Sequence, residues 1–246
     1  PGPRIERDTH SENLLMANIL ITGAARGLGY ELAKQFAAGG DRVYATCRNP
    51  DRAEKLQAAA AASEGRISIH RMDVGNTESV KACAAELRDV PIDILINNAG
   101  VWGGLDTQVF TNMDYDNWAH ELNIMLMGPF RVTQNFLPNV RAGQQRKIVS
   151  ITSQTAAHSY DHIIGYSYSS AKAGLNRVMT ALALELKDEG IIVALLHPGW
   201  IKTEMAGDVA DLDPPVAAAD NIRVIKGLTM ADSGTFLKWT GDTHPW

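Results

Sequence analysis

The chain has 246 residues, 45% of them hydrophobic and 21% charged, with a formal net charge of −5. That balance belongs to a folded globular chain and excludes disorder, collagen and coiled coil as the main theme. A weakly acidic chain is ill suited to neutralising nucleic-acid phosphates, and two cysteines without CxxC spacing, Cys47 and Cys83, make neither a zinc ribbon nor a disulfide scaffold.

So few cysteines fit a reducing compartment, and a cytoplasmic location is expected. The densest apolar run, Ile191 to Leu196, is far shorter than the roughly 18 residues a membrane span needs. Residues 1–15 are polar and mixed in charge. They read as an expression remnant or a short natural extension, and fold reasoning starts at Met16.

Asn18 to Thr22 is a short apolar strand ending at a glycine-rich turn, and Leu28, Leu32, Phe36 and Ala37 then recur at helical spacing. Arg42 to Cys47 is a second strand. Asn49-Pro50 reads as the N-cap and first position of an Ala-rich helix running to about Ala62. Arg66 to Met72 is a strand, Thr77 to Leu87 a helix and Ile92 to Ile96 a strand. A long helical region covers Tyr115 to Leu137, succeeded by a strand at Lys147 to Thr152, a helix at Ser167 to Lys187 and a strand at Ile191 to His197. Gly234 to Lys238 makes a seventh strand. Alternation of this kind predicts an α/β fold: a Rossmann-type, doubly wound parallel seven-stranded sheet with helices on both faces, a three-layer αβα stack. Residues 16–246 then form a single domain. Ligands in such folds bind at the carboxyl ends of the strands, near the switch in strand order.

The residues just past each strand end therefore carry the chemistry. After the first strand stands Thr22-Gly23-Ala24-Ala25-Arg26-Gly27-Leu28-Gly29, a GxxxGxG turn opening a helix, which either cradles a pyrophosphate or only packs helix on strand. The second strand ends in Cys47-Arg48, without the carboxylate that would bind a ribose 2′-hydroxyl. Arg48 and Arg26 suit a 2′-phosphate, so NADP(H) is preferred over NAD(H), against the alternative of two solvated arginines. Asp73-Val74 comes after the third strand and suits an adenine amine; Asn97-Asn98-Ala99-Gly100 ends the fourth. Ser153 comes after the fifth, and Pro198-Gly199-Trp200-Ile201-Lys202-Thr203 after the sixth, as a clamp for a carboxamide. Tyr168 and Lys172 lie four apart, on one helix face, where an ammonium can favour a phenolate. Tyr166 is a rival that shares that face less well. Each signal is weak alone, and the ordered set is strong.

With these motifs the sequence resembles the short-chain dehydrogenase/reductase family, in its branch of about 250 residues. The resemblance is carried by TGxxxGxG at Thr22–Gly29, NNAG at Asn97–Gly100, YxxxK at Tyr168–Lys172, Asn123 in the central helix, Ser153, and PGxxxT at Pro198–Thr203. Ala45–Pro50, His197–Met205 and the tail from Ser233 are similar to the C-factor-like and sniffer-like carbonyl reductases. The resemblance implies an NADP-dependent oxidoreductase that interconverts a carbonyl and an alcohol. Tyr168 is then the general acid/base, Lys172 binds ribose hydroxyls and lowers the Tyr168 pKa, Ser153 orients the substrate oxygen, and Asn123 holds a water in a relay to Lys172. Gly23, Arg26, Gly27, Leu28, Gly29, Arg48, Asp73, Val74, Asn98, Ala99, Gly100, Pro198, Gly199, Ile201 and Thr203 join Tyr168 and Lys172 as the cofactor set.

The substrate pocket is expected to be lined by Trp102, Gln154, His158, Tyr160, His162, Trp200 and Met205, for a medium-sized apolar or aromatic carbonyl compound. No metal, nucleic acid or membrane is expected as partner, and a homodimer or homotetramer is implied. The alternatives are a cofactor-binding signalling protein of C-factor type, an NAD-dependent alcohol dehydrogenase and, disfavoured by the glycine spacing, a nucleotide-sugar epimerase.

Overall fold

The computed structural model describes residues 16–162, 164–205 and 209–246; the extension assigned to 1–15 lies outside them. The elements in chain order are β1 (Asn18–Ile21), α1 (Gly27–Ala38), β2 (Arg42–Cys47), α2 (Glu54–Ala62), β3 (Ile67–Arg71), α3 (Thr77–Glu86) and β4 (Ile94–Asn97). Next come a hairpin of β5 (Gln108–Val109) and β6 (Asn112–Met113), then α4 (Tyr115–Leu122), a π-helical segment (Asn123–Met127) and α5 (Gly128–Ala142). The last elements are β7 (Lys147–Ile151), α6 (Tyr166–Glu185), β8 (Ile192–His197), α7 (Pro214–Gly227) and β9 (Phe236–Lys238).

Seven strands form one parallel sheet in the order β3-β2-β1-β4-β7-β8-β9. Alternate side chains of each strand enter two cores. Ile19 and Ile21 of β1 and Ile94 and Ile96 of β4 meet Leu32 and Phe36 of α1 and Ile225 of α7. Leu20 and Leu95, one residue out of phase, meet Val80 of α3, Phe136 of α5 and Leu175 of α6. Both faces are thus covered, which is why β8 is buried along its whole length. The chain winds from β1 out to β3, then returns to β4 on the other side of β1. This reversal opens a crevice at the carboxyl ends of β1 and β4.

Several elements depart from the sequence expectation. Asn49 precedes a separate 3-10 turn, Pro50–Arg52, and α2 begins only at Glu54. The long central helix is interrupted by the π segment and continues through Pro138 to Ala142. Burial of Phe136, Asn139 and Val140 carries it past the proline. Gly234 has φ +81° and gives its N–H to the Val193 carbonyl at 2.8 Å, so it turns the chain into β9 rather than starting the strand. Helix α7 was not anticipated, although Asp213-Pro214 succeeded by Ala217, Asn221, Val224 and Ile225 carries a start signal and a periodic face.

Candidate active site

The glycine turn is closed mainly by main-chain contacts. Gly23 has φ +69°, and a Cβ there would stand 2.8 Å from the Ala99 Cα. A Cβ on Gly29 would stand 2.4 Å from the Asn98 Nδ2. That amide donates to the Thr22 carbonyl at 2.9 Å and the Gly23 carbonyl at 3.2 Å. In return the Thr22 hydroxyl accepts from the main-chain N–H of Asn98 at 2.9 Å and of Ala99 at 3.0 Å. The Asn98 side chain therefore buttresses the loop. The Leu28 side chain is sunk in the core, which leaves its main chain for a ligand. Helix α1 starts at Gly27 with no side-chain cap and no acidic residue in its first turn, so its free N–H groups suit an anion.

The edge beyond β2 carries no carboxylate at Cys47 or Arg48. Cys47 is a buried packing residue whose thiol is pushed up by burial. Arg48 is exposed and, among the described residues, has no ion-pair partner. Arg26 pairs with Glu204, just beyond the clamp turn. The Asp73 carboxylate accepts from the Gly75 N–H at 2.9 Å, shaping its own turn, and Val74 is buried with its carbonyl bonded to Arg131.

Tyr168 and Lys172 lie on the other flank. Lys172 is 4% exposed and its Nζ donates to the Ile151 carbonyl at 2.9 Å. It stands 5.8 Å from the centroid of the Tyr168 ring. Burial pulls the Lys172 ammonium down to about 8. Burial also pushes the Tyr168 phenol up to about 12, with the Ser153 hydroxyl pulling it down and the Glu121 charge adding to the rise. Desolvation sets the net direction; an ammonium this close favours the phenolate and opposes it. The resting pair is thus a phenol beside an ammonium. Trp102 meets the Tyr168 ring edge-on, with centroids 5.3 Å apart. Tyr166, the rival tyrosine, is 44% exposed and belongs to a different cavity.

Asn123 stands at the start of the π segment with its side chain committed elsewhere. Its Nδ2 donates to the Gly75 carbonyl at 3.0 Å, and its Oδ1 accepts from Arg131 at 3.0 Å. The side chain thereby ties the central helix to the Asp73–Gly75 turn.

At the clamp, Gly199 has φ +93°, and a Cβ would stand 2.4 Å from the Leu212 Cδ1. Ile201 is buried, bridged to Leu212. Thr203 comes within 3.4 Å of where a Cβ on Gly27 would stand, so clamp and glycine loop face each other. Asn221 of α7, which sequence reasoning missed with its helix, holds the turn by donating to the Pro198 carbonyl at 3.0 Å.

The expected substrate residues divide. Trp102 packs on Tyr168, and Gln154 opens the 3-10 turn directly after Ser153. His158, Tyr160 and His162 line a separate cavity of about 380 Å³ against Tyr166, Ser169, Ser170 and Ala173 of α6. None of Asn123, Ser153, Tyr168 and Lys172 lines it. Trp200 and Met205 are exposed, at 45% and 42%. Glu121 and Gln108 were also missed: both are fully buried polar side chains, Glu121 inside α4 and Gln108 in a two-residue strand, and neither type marks burial in a sequence.

Among the described residues, no helix is long and apolar enough to cross a membrane. The profile of the short chain dehydrogenase family matches residues 17–213. The C-signal protein of Myxococcus xanthus is 36% identical, covering 68% of this chain and all of its own length. A short-chain dehydrogenase/reductase of Arthrinium sp is 33% identical, covering 92% of this chain and 98% of its own. Among solved structures, the carbonyl reductase Sniffer of D. melanogaster is similar with a TM-score of 0.86 and 27% identity, covering 94% of this chain and 100% of its own. An NADPH-bound carbonyl reductase from chicken fatty liver is similar with a TM-score of 0.85 and 28% identity, covering 94% and 99%.

Proposed function

The chain belongs to the short-chain dehydrogenase family, and from that premise we propose that it is an NADP(H)-dependent oxidoreductase interconverting a ketone or aldehyde and an alcohol. The observation that carries the reading is the cluster of Ser153, Tyr168 and Lys172 at the carboxyl edge of the sheet, beside an uncapped helix N-terminus. The residues fit a dinucleotide: free N–H groups and glycines for the pyrophosphate, Arg26 and Arg48 for a 2′-phosphate, and no carboxylate at the end of β2 to repel it. The carbonyl reductase from chicken fatty liver has NADPH bound, which supports the same choice here.

When bound, the nicotinamide supplies the hydride for the carbonyl carbon. The chain's own residues handle the oxygen. Ser153 holds it by hydrogen bonding, and Tyr168 gives its proton to the oxygen as negative charge develops there. A phenol held near 12 is fully protonated at neutral pH, the form that reduction requires. Lys172, with its ammonium down near 8, keeps positive charge beside the phenol and is placed for ribose hydroxyls. Trp102 offers an aromatic wall beside the reacting group, so the substrate is a medium-sized apolar or aromatic carbonyl compound. The fold is read as a single domain that assembles as a homodimer or homotetramer.

Fluorescence titration with NADPH and NADH, then a panel of aldehydes and ketones, tests the reading. Tighter binding of NADPH and turnover lost in Tyr168→Phe are expected. Tighter NADH binding would overturn the cofactor assignment, and no turnover across the panel would overturn the activity. Similarity to the C-signal protein keeps a signalling role as the second reading; a biological effect that survives Tyr168→Phe would favour it.

A further inference from the structure

Glu121 of α4 is 0% exposed. Its Oε1 accepts from the Gly103 N–H at 2.7 Å and from the Gln108 Nε2 at 3.2 Å, while its Oε2 has no hydrogen-bond partner. A buried carboxylate oxygen without a donor is costly and calls for a reason. The Gln108 side chain, also fully buried, points its other end at the catalytic helix: its Oε1 accepts from the Tyr168 N–H at 3.0 Å. That N–H belongs to the first turn of α6, where no residue within the helix accepts it. The carboxylate thus fixes which way the Gln108 amide faces, with the NH2 toward Glu121 and the oxygen toward Tyr168. On the other side, Gly103 comes directly after Trp102, the residue that meets the Tyr168 ring edge-on.

Two arms therefore run from one carboxylate to Tyr168, one through Gln108 to its main chain and one through Gly103 and Trp102 to its ring. We propose that Glu121 is a positioning residue for Tyr168: its two arms seat the ring, and its buried charge keeps the phenol in the protonated form that reduction needs. The charged groups that act on Tyr168 are Lys172 from its own helix and Glu121 from α4; Ser153 after β7, Gln108 of β5 and Trp102 are neutral. Of the two charges, Lys172 favours the phenolate and Glu121 opposes it. The assignment rests on Tyr168 being the acid of the proposed reaction.

The test is an ultraviolet titration of phenolate in the purified full chain, read as the difference from Tyr168→Phe, which needs no substrate. Glu121→Gln keeps an acceptor for Gly103 and removes the charge. The Tyr168 midpoint is expected to fall by about one pH unit, a tenfold rise in phenolate fraction at a given pH below it. The basic limb of carbonyl reduction is expected to shift by the same amount. Glu121→Asp keeps the charge but shortens the reach, so the midpoint stays near the wild-type value while kcat falls and KM holds. An unmoved midpoint in folded Glu121→Gln overturns the charge role. Should that variant fail to fold, a fallen midpoint in Glu121→Asp overturns it instead. Unchanged kcat in Glu121→Asp overturns the seating role. Absence of turnover in the wild type, with the titration behaving as stated, would instead remove the reaction assignment.

Discussion

The two flanks of the crevice are built from different materials. On the glycine-turn side, main chain meets main chain, with Thr22 and Asn98 as the side-chain ties. On the Tyr168 side, buried side chains carry the structure: Lys172 on the Ile151 carbonyl, and Glu121 and Gln108 on the loop and helix around the phenol. A backbone-built flank imposes the absence of side chains, so glycine is what it selects. A side-chain-built flank needs specific functional groups from distant elements, and many groups could serve. The first therefore reads directly from spacing, and the second does not.

The sharpest way to separate the flanks is Tyr168→Phe. Carbonyl reduction should fall by about 10²–10⁴-fold, the span of general acid catalysis, while NADPH affinity by fluorescence titration changes far less. A parallel loss of binding would show that the flanks are not independent. The mirror experiment is Gly23→Ala. With φ +69° and the Ala99 Cα only 2.8 Å from the new Cβ, it should lower stability by roughly 2–3 kcal/mol and weaken nucleotide binding, as read by denaturant unfolding and titration. A neutral result would mean that the turn yields more than main-chain packing permits.

A pH test probes the wall behind the clamp. His197 ends β8 buried at 4% exposure, both ring nitrogens lack partners, and burial holds its imidazole down near 3. The folded value lies below the unfolded value of about 6.5, so the unfolded chain takes up the proton first. Stability should be intact above pH 6.5 and fall by about 1.4 kcal/mol per pH unit as the pH drops toward 3. Thermal melts of the wild type against His197→Phe should show that slope flattening. The smallest effect is expected at Arg26, whose ion pair with Glu204 is open to solvent. Arg26→Ala should leave stability within about 1 kcal/mol and weaken NADPH binding severalfold more than NADH binding, by parallel titrations. Equal weakening of both would detach Arg26 from the 2′-phosphate.

The same contrast explains what the sequence makes legible. Strand ends are marked by a change from continuous apolar residues to glycine, asparagine or hydroxyl residues, so the motifs at Gly23–Gly29, Asn97–Gly100, Ser153 and Pro198–Thr203 stand out before any coordinates. Two neighbouring tyrosines, Tyr166 and Tyr168, are told apart by helical spacing to Lys172. Other features leave no local trace. A continuing helix and one with an inserted residue have the same composition, which hides the π segment at Asn123. His158, Tyr160 and His162 lie in the loop after Ser153, yet the fold turns them toward the far side of α6. Proximity along the chain does not say which side of a helix a loop will cover. The direction of the Tyr168 shift is hidden too, since it depends on how much water the fold removes.

The π segment also has a geometric consequence. Each residue advances an α-helix by about 100°, so a π turn acts as an added residue that rotates everything downstream relative to everything upstream. Upstream, Glu121 points to Gly103; downstream, Arg131 reaches back to Asn123 and Val74. A straight α-helix would not present both faces in those directions. The central helix is in effect two dials on one axle, set apart by a single click. Deleting Leu126 would align them, and would turn Arg131 away from Asn123 and Val74 while Glu121 stays on Gly103.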